Sequence, residues 1–233
     1  MASSAPAAPL VSLAAAPGGR AEWLARLLRE RLWGGAYRPH QWIRETTLRA
    51  EFGLSNGPVR EALQMLVAEG LLERVPYCGI RVVALDDQEI VALFQLRLAL
   101  LEIAAELAAL RRDADALAAA PSVLAQVRQN AGAEPRPAPG HLMGWLVEAS
   151  GNRELAHAWE RLAGKSRMYL YESVRRAHDP RPMMRDAEAL VAAVVAGQPA
   201  KARQAVRLLT EHQIKDLGLA LLPTRRKTPE SKK

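Results

Sequence analysis

The chain has 233 residues, of which 49% are hydrophobic and 24% are charged, and this balance excludes a chain that is disordered throughout. Its single cysteine, Cys78, excludes an internal disulfide and a thiolate-only metal site. The sequence contains no run of about 18 apolar residues that would predict a membrane span. We therefore expect a cytoplasmic protein. The formal net charge is +7. Lys and Arg number 10 against 7 Asp and Glu in residues 20–85, 17 against 17 in 86–222 and 5 against 1 in 223–233. Because the long central part is neutral and the N-terminal part is basic, we expect any polyanion to contact the N-terminal part.

The N-terminal part begins with a leader and continues with three predicted helices. Residues 1–19 consist mainly of Ala, Pro, Ser and Gly without charge, which is typical of a flexible leader. Apolar side chains at helical spacing predict a first helix over 20–33 and a second over 45–52. A third helix follows Ser55, which stands at an N-cap position, and ends near Gly70.

After the third helix, β-favouring residues on either side of the sequence PYCG predict a two-stranded hairpin. The second and third helices are joined by the tight turn Gly53-Leu54-Ser55, in which Gly53 closes the second helix. Three short helices followed by a hairpin are typical of a helix-turn-helix with a wing. We therefore expect a winged-helix domain over residues 20–85.

The rest of the chain is predicted to be entirely helical. Asp86 and Asp87 are suited to cap a long helix that ends near Arg112, and its apolar surface is so wide that we expect it to be buried between other helices. No heptad run and no strand pattern is evident after residue 85. An all-α bundle over 86–222 and a basic tail over 223–233 are expected, with further helices at about 114–131, 139–150, 153–176, 182–196 and 199–221.

Two parts of the sequence resemble a known family. The stretch FGLSNGPVREALQMLVAEGL is similar to the DNA-binding domain of the GntR family of bacterial transcription regulators. The later stretches FQLRLALLEIAAELAAL and VEASGNREL resemble the FCD effector-binding domain of that family's fatty-acid-regulator branch. The resemblance covers about residues 20–222, and it implies a regulator that binds double-stranded operator DNA.

The candidate DNA contacts lie at the starts of the second and third helices and in the wing. A recognition helix needs short polar or cationic side chains in its first turn. The resemblance implies that the position of Asn56 is usually an arginine, which reads a guanine. Asn56 offers an amide instead, and an amide prefers adenine. The operator sequence of the family therefore cannot be carried over to this chain. The expected contacts are Arg44, Thr46, Arg49, Ser55, Asn56, Pro58, Arg60 and Gly79, with Arg44 and Arg49 directed at phosphates.

The resemblance also implies a metal site that this chain does not preserve. Many FCD domains hold a divalent ion through one aspartate and three histidines, and the matching positions are Pro139, Met143, Ala187 and Leu209. None of these side chains is a good ligand for such an ion. We therefore expect no metal and no other cofactor.

An effector site is expected in the bundle around Arg97, which interrupts the apolar run of the long helix. A buried guanidinium needs a partner, and an acidic small molecule would supply one. The alternatives are a salt bridge to Glu102 or Glu148, or exposure at a dimer surface. Further candidates for the same cavity are Glu102, Arg167, Tyr169 and Tyr171.

We expect a homodimeric, effector-modulated, sequence-specific transcription regulator, because one helix-turn-helix reads too few bases for useful specificity. The alternative is a constitutive DNA-binding or interaction protein whose bundle only dimerises and has lost effector and metal binding. We do not expect an enzyme, since the sequence contains no phosphate-binding glycine loop, no GxSxG and no HExxH.

Overall fold

The computed structural model describes residues 19–132, 141–177, 179 and 181–221. The chain divides into two compact units. Of the described residues, the first unit contains those from Gly19 to Leu32 together with Tyr37–Val83, and the second contains Trp33–Ala36 together with those between Ala84 and Leu221. Almost all of the expected leader, and the whole of the expected basic tail, lie outside the described residues.

The first unit is a winged helix, and its helices lie where the sequence predicts them. The second helix ends at Gly53, whose left-handed backbone (φ +62°) lets its N–H donate to the carbonyl of Arg49. The elements in chain order are α1 (Gly19–Trp33), β1 (Trp42–Ile43), α2 (Glu45–Phe52), α3 (Asn56–Ala68), β2 (Leu72–Val75) and β3 (Gly79–Val82).

The wing has one more strand than the sequence predicts. The hairpin β2–β3 is present and antiparallel, with Leu72 opposite Val82. A short strand, β1, pairs with the other edge of β3 through Trp42 opposite Arg81, so the sheet order is β1-β3-β2. The expectation of a two-stranded hairpin was therefore incomplete. Two residues are too few for alternation to show in a sequence.

The core of the first unit is built from leucine and valine side chains of all three helices. The exposed fraction of Leu28, Val59 and Leu66 rounds to zero. By the usual transfer value, each such side chain contributes about 1.5–3 kcal/mol relative to an exposed position. Because α3 uses this face for the core, its opposite face is left for a partner.

The second unit is a bundle of six helices in the described part of the chain. The sequence predicts most of their bounds, but the last helix ends at Asp216 rather than 221, because Gly218 adopts a left-handed backbone (φ +81°). The elements are α4 (Asp87–Arg111), α5 (Ala114–Gly132), α6 (His141–Ser150), α7 (Arg153–Arg176), α8 (Arg181–Val195) and α9 (Pro199–Asp216). No described helix has the length and apolar character needed to cross a membrane.

The long helix α4 is the centre of the bundle and packs against α6, α7, α8 and α9. Its start is fixed by a capping box, in which the Asp86 carboxylate accepts from the N–H of Glu89 and the Glu89 carboxylate accepts from the N–H of Asp86. The expectation that α4 is buried between other helices is confirmed by its helix contacts. One face of α4 nevertheless remains exposed at Leu96, Ile103 and Leu110.

Candidate functional site

The first turn of α3 is exposed while the rest of the helix is anchored in the core. Ser55 is the N-cap in extended conformation, and its side chain makes no capping hydrogen bond. Asn56 and Arg60 are exposed, one helical turn apart, and therefore share a face. Pro58 is half buried, so its contribution is to fix the first turn rather than to offer a fully exposed contact.

The guanidinium of Arg60 is held by a residue of the neighbouring helix. Its Nε donates to Oε2 of Glu45 at 2.9 Å, and Glu45 is the first residue of α2. Sequence reasoning missed Glu45, because the two residues belong to different helices and share no local spacing. The pair is well exposed, so it contributes at most about 1 kcal/mol and is readily exchanged for another acceptor.

A groove of about 410 Å³ lies between the start of α2 and the wing. It brings together three of the expected contact residues, Arg44, Thr46 and Gly79, and it adds Trp42 and Arg74, which the sequence did not single out. Alternation along β2 could not have singled out Arg74, because Leu72, two residues earlier and so on the same face of the strand, is buried while Arg74 is exposed. Two arginines in one groove make it suitable for phosphate oxygens.

The expected contact residue Arg49 is exposed on α2 but does not line this groove.

At the tip of the wing, Gly79 has φ +120°, a backbone conformation that favours glycine, so its role is to shape the turn. Tyr77 is fully exposed and has φ +60°, which costs about 1–2 kcal/mol for a residue with a Cβ. Cys78 is exposed beside it.

In the second unit, Arg97 is the largest fully buried side chain. Its Nη1 donates to Oε1 of Gln213 at 2.8 Å, and its guanidinium carbon lies 5.7 Å from the ring centre of Phe94 and 5.5 Å from that of Trp159. Within the described chain, Nε and Nη2 have no hydrogen-bond partner. Burial lowers the pKa of Arg97 to about 9, which leaves the group charged at neutral pH.

Neither structural alternative for Arg97 is found. The side chain is buried rather than exposed, and its hydrogen-bond partner is an amide rather than the carboxylate of Glu102 or Glu148. Glu102 instead contacts Arg207 at 2.5 Å. The sequence could not reveal Gln213 as the partner, because it lies 116 residues further along the chain on another helix.

Two other expected effector residues face a short segment that belongs to the second unit, Trp33–Ala36. The guanidinium of Arg167 lies over the ring of Trp33, 3.9 Å from its centre. A Cβ built on Gly35 would lie 2.4 Å from a ring carbon of Tyr171, so that close approach requires glycine. These contacts account for Arg167 and Tyr171 without a ligand.

Tyr169 is also engaged, because its hydroxyl accepts a hydrogen bond from the N–H of Leu85 at 2.7 Å, and burial raises its pKa. Trp159, which contacts Arg97, lies about 15 Å from Tyr169 along α7, at 1.5 Å per residue. The expected single cluster around Arg97 is therefore not formed. The groups that surround Arg97 are Phe94, Trp159 and Gln213.

The residues at the expected metal positions do not fit a metal ion. Met143, Ala187 and Leu209 are each 2% exposed and belong to the apolar core, and Pro139 lies outside the described residues. His212 pairs with Asp186 at 2.6 Å, but no group of three or more His, Cys, Asp or Glu side chains with metal-binding geometry occurs among the described residues.

We expect the purified protein to contain no stoichiometric zinc, manganese or nickel, because three apolar core side chains occupy the described ligand positions. Treatment with a chelator should leave its melting temperature unchanged. Elemental analysis checks this directly. About one metal ion per chain would contradict the expectation and would direct attention to the histidines.

Comparison with known families gives two matches along the chain. Residues 20–82 match the model of the bacterial regulatory proteins of the gntR family. Residues 92–212, more than half of the chain, match the FCD domain.

Individual relatives agree with these matches over shorter stretches. The chain is similar to the uncharacterised HTH-type transcriptional regulator YdhC of Bacillus subtilis, with 31% identity over 80 residues, which are 34% of this chain and 36% of that protein. It is also similar to the HTH-type transcriptional repressor GlaR of Escherichia coli, with 36% identity over 72 residues, which are 31% and 33% of the two chains. The matched stretch thus spans about a third of each relative.

The fold has a solved counterpart over most of its length. Escherichia coli McbR/YncC superposes with a TM-score of 0.71 at 20% identity, covering 87% of this chain and 98% of that one. At this identity the similarity concerns the fold alone. It shows that the winged helix and the helical bundle occur together in a known architecture.

Proposed function

Because the chain belongs to the gntR family of bacterial regulatory proteins and carries an FCD domain, we propose that it is a cytoplasmic transcription regulator that binds operator DNA as a homodimer. The observation that carries this proposal is the exposed first turn of α3, which presents Asn56 and Arg60 beside a groove with two arginines. The family consists of regulatory proteins, so we propose no enzymatic activity.

In this proposal, α3 enters the major groove with its N-terminal end. Arg60 and Asn56 contact base edges, since guanidinium and amide groups form paired hydrogen bonds with guanine and adenine, respectively. The remaining contacts position the protein on the phosphates and sugars, and they involve Arg44, Thr46, Arg49, Ser55 and Arg74. Pro58 shapes the first turn of α3, and Gly79 shapes the wing.

We expect Arg44→Ala to weaken binding to all DNA sequences by a similar factor, because a phosphate contact carries no base information. The slope of log affinity against log salt should decrease by about one unit. Titration of labelled duplexes at several salt concentrations measures both effects. Arg153→Ala, an exposed substitution on α7, serves as the control, and a loss of affinity confined to one sequence would contradict a phosphate role for Arg44.

The effector part of the proposal rests on the buried guanidinium of Arg97. Its Nε and Nη2 groups have no partner within the described chain, and a carboxylate would accept from both. The neighbouring rings of Phe94 and Trp159 and the amide of Gln213 would contact the rest of a small acidic ligand. We therefore assign effector binding to this group rather than to Glu102, Arg167, Tyr169 and Tyr171.

A thermal-shift screen of organic acids, sugar acids and acyl thioesters tests this part. A true effector raises the melting temperature with its saturation, because it binds the folded state alone. The competing function is a constitutive DNA-binding protein whose bundle only dimerises, and the apolar side chains at the metal positions favour it. Specific DNA binding without any stabilising acid would support that alternative.

A further inference from the structure

Trp42 presents a large apolar side chain on the outer face of the wing sheet. Alternation along β1 sets its two residues on opposite faces, so Ile43 is 6% exposed in the core while Trp42 is 43% exposed. Keeping an indole ring in water is unfavourable, and tryptophan is enriched where proteins contact their partners. Trp42 is therefore a candidate contact residue of the first unit.

The ring of Trp42 is held by residues of the neighbouring strands. Trp42 lies directly opposite Arg81, and Arg81 lies directly opposite Glu73, so the three side chains form a row across the sheet. The guanidinium carbon of Arg81 is 5.8 Å from the ring centre, and Nε of Arg81 donates to Oε1 of Glu73 at 2.7 Å. Because the ring is fixed in the free protein, a contact through it loses little conformational freedom.

Gly79 lets the ring of Trp42 lie close to the backbone of the wing. A Cβ built on Gly79 would lie 4.0 Å from two carbons of the ring, Cε3 and Cζ3. The ring therefore extends along the sheet from Arg81 towards the tip of the hairpin. Trp42 and Gly79 both line the groove between the start of α2 and the wing. Trp42 thus belongs to the surface that carries the expected DNA contacts.

The groove beside the ring carries a net positive charge. It is lined by Arg44 and Arg74 and by one carboxylate, that of Glu45, which accepts from Nε of Arg60 at 2.9 Å. The indole of Trp42 adds an N–H donor and no acceptor. A surface of cations and donors fits a partner rich in acceptor oxygens. Through Glu45 this surface is continuous with Arg60, the expected base contact of α3.

We propose that Trp42 is a neutral contact to the sugar–phosphate backbone of duplex DNA. Its N–H donates to a phosphate oxygen, and its ring packs on the adjoining deoxyribose. This rests on the proposed function, because it adds a residue to the same DNA-binding surface. The contact differs from those of the arginines in one physical respect, since a neutral donor releases no counterion from the DNA.

Titration at several salt concentrations separates this contact from a charged one. The probe is a duplex selected from a random-sequence pool by repeated binding to the unchanged chain. We expect Trp42→Phe, which keeps a ring but loses the N–H, to bind this duplex about tenfold more weakly. The slope of log affinity against log salt should stay unchanged, whereas Arg44→Ala should decrease it. Trp23→Phe, the same exchange at a ring that packs on Phe52, is the control and should bind as the unchanged chain does.

The outcomes separate this proposal from the proposed function. Unchanged affinity in Trp42→Phe would overturn the contact and leave a DNA-binding regulator intact. A decreased salt slope in Trp42→Phe would also overturn it, because the ring would then act only by placing the neighbouring arginines on the phosphates. An unchanged chain that selects no duplex from the pool would overturn the proposed function together with the contact.

Fluorine NMR observes the contact in the unchanged chain. The chain has five tryptophans, so labelling with 5-fluorotryptophan gives five resonances, and the one absent from Trp42→Phe belongs to Trp42. If Trp42→Phe does not fold, Trp42→Tyr supplies the same assignment. We expect this resonance to shift more than the other four when the selected duplex is added. A Trp42 resonance that stays in place while the duplex binds would overturn the proposal.

Discussion

Arg60→Ala is expected to abolish sequence-specific DNA binding, with an affinity for the operator close to that for unrelated duplexes. Arg60 is the cation in the exposed part of α3, and its bond to Glu45 holds the guanidinium beside the start of α2. A paired contact between arginine and a base is worth about 1–3 kcal/mol, and a two-fold complex loses it twice. Electrophoretic mobility shift and footprinting of both duplexes measure the loss.

Two matched substitutions distinguish base recognition from a simple loss of charge. Asn56→Arg should change the preferred base, because the amide that suits adenine is replaced by a guanidinium that suits guanine. Glu45→Gln removes the ion pair of Arg60 but keeps the charge of Arg60, so specific binding should persist. A footprint that neither Arg60→Ala nor Asn56→Arg alters would show that α3 does not read the bases.

Arg97→Met is expected to give a folded protein that is more stable and no longer responds to its effector. Two of the three guanidinium nitrogens of Arg97 have no hydrogen-bond partner in the described chain, so burial of the charge is poorly compensated. Methionine keeps much of the length of the stem among Phe94 and Trp159. Replacing buried ion pairs by apolar residues of similar volume has stabilised other proteins by about 1–4 kcal/mol, and we expect a gain of the same order for Arg97→Met at pH 7.

The gain in stability should depend on pH in one direction. Burial lowers the pKa of Arg97 from its ordinary value in the unfolded chain to about 9 in the folded one, so above pH 9 the unfolded state binds more protons. The stability of the unchanged chain therefore rises, relative to the variant, as the pH increases through 9. Urea denaturation of both proteins from pH 7 to pH 10 measures this dependence. The free energy of unfolding of Arg97→Met should exceed that of the unchanged chain by the full amount below pH 9, and by a decreasing amount above it.

Calorimetric titration with any acid found in the thermal-shift screen completes this test. The acid should bind the unchanged chain and show no measurable binding to Arg97→Met. Unchanged affinity in a folded Arg97→Met variant would assign Arg97 to structure alone. If Arg97→Met is less stable than the unchanged chain, the contacts of the guanidinium stabilise the fold by more than the burial of its charge costs.

The features that could be predicted from the sequence are those determined by neighbouring residues. The bounds of α2 depend on a glycine that ends it, and the start of α4 depends on Asp86 and Glu89, three residues apart. The helix-turn-helix followed from the same local signals. These elements require no knowledge of distant contacts, so periodicity and capping residues were sufficient.

The features that sequence reasoning missed depend on residues brought together by folding. Glu45 meets Arg60, and Gln213 meets Arg97, across distances in sequence that no motif spans. The exposed row on α4 escaped detection for a different reason. The helix is apolar around most of its circumference. The sequence therefore does not distinguish the exposed residues Leu96, Ile103 and Leu110 from those that form the core.

Cys78 gives the wing a practical use in following the protein in solution. It is the only cysteine of the chain, it is exposed, and it lies beside the groove that contains Arg44 and Arg74. A maleimide fluorophore or nitroxide therefore attaches to the natural chain at one known atom, the Sγ of Cys78. The motion and environment of the wing tip then become observable by spectroscopy without any substitution.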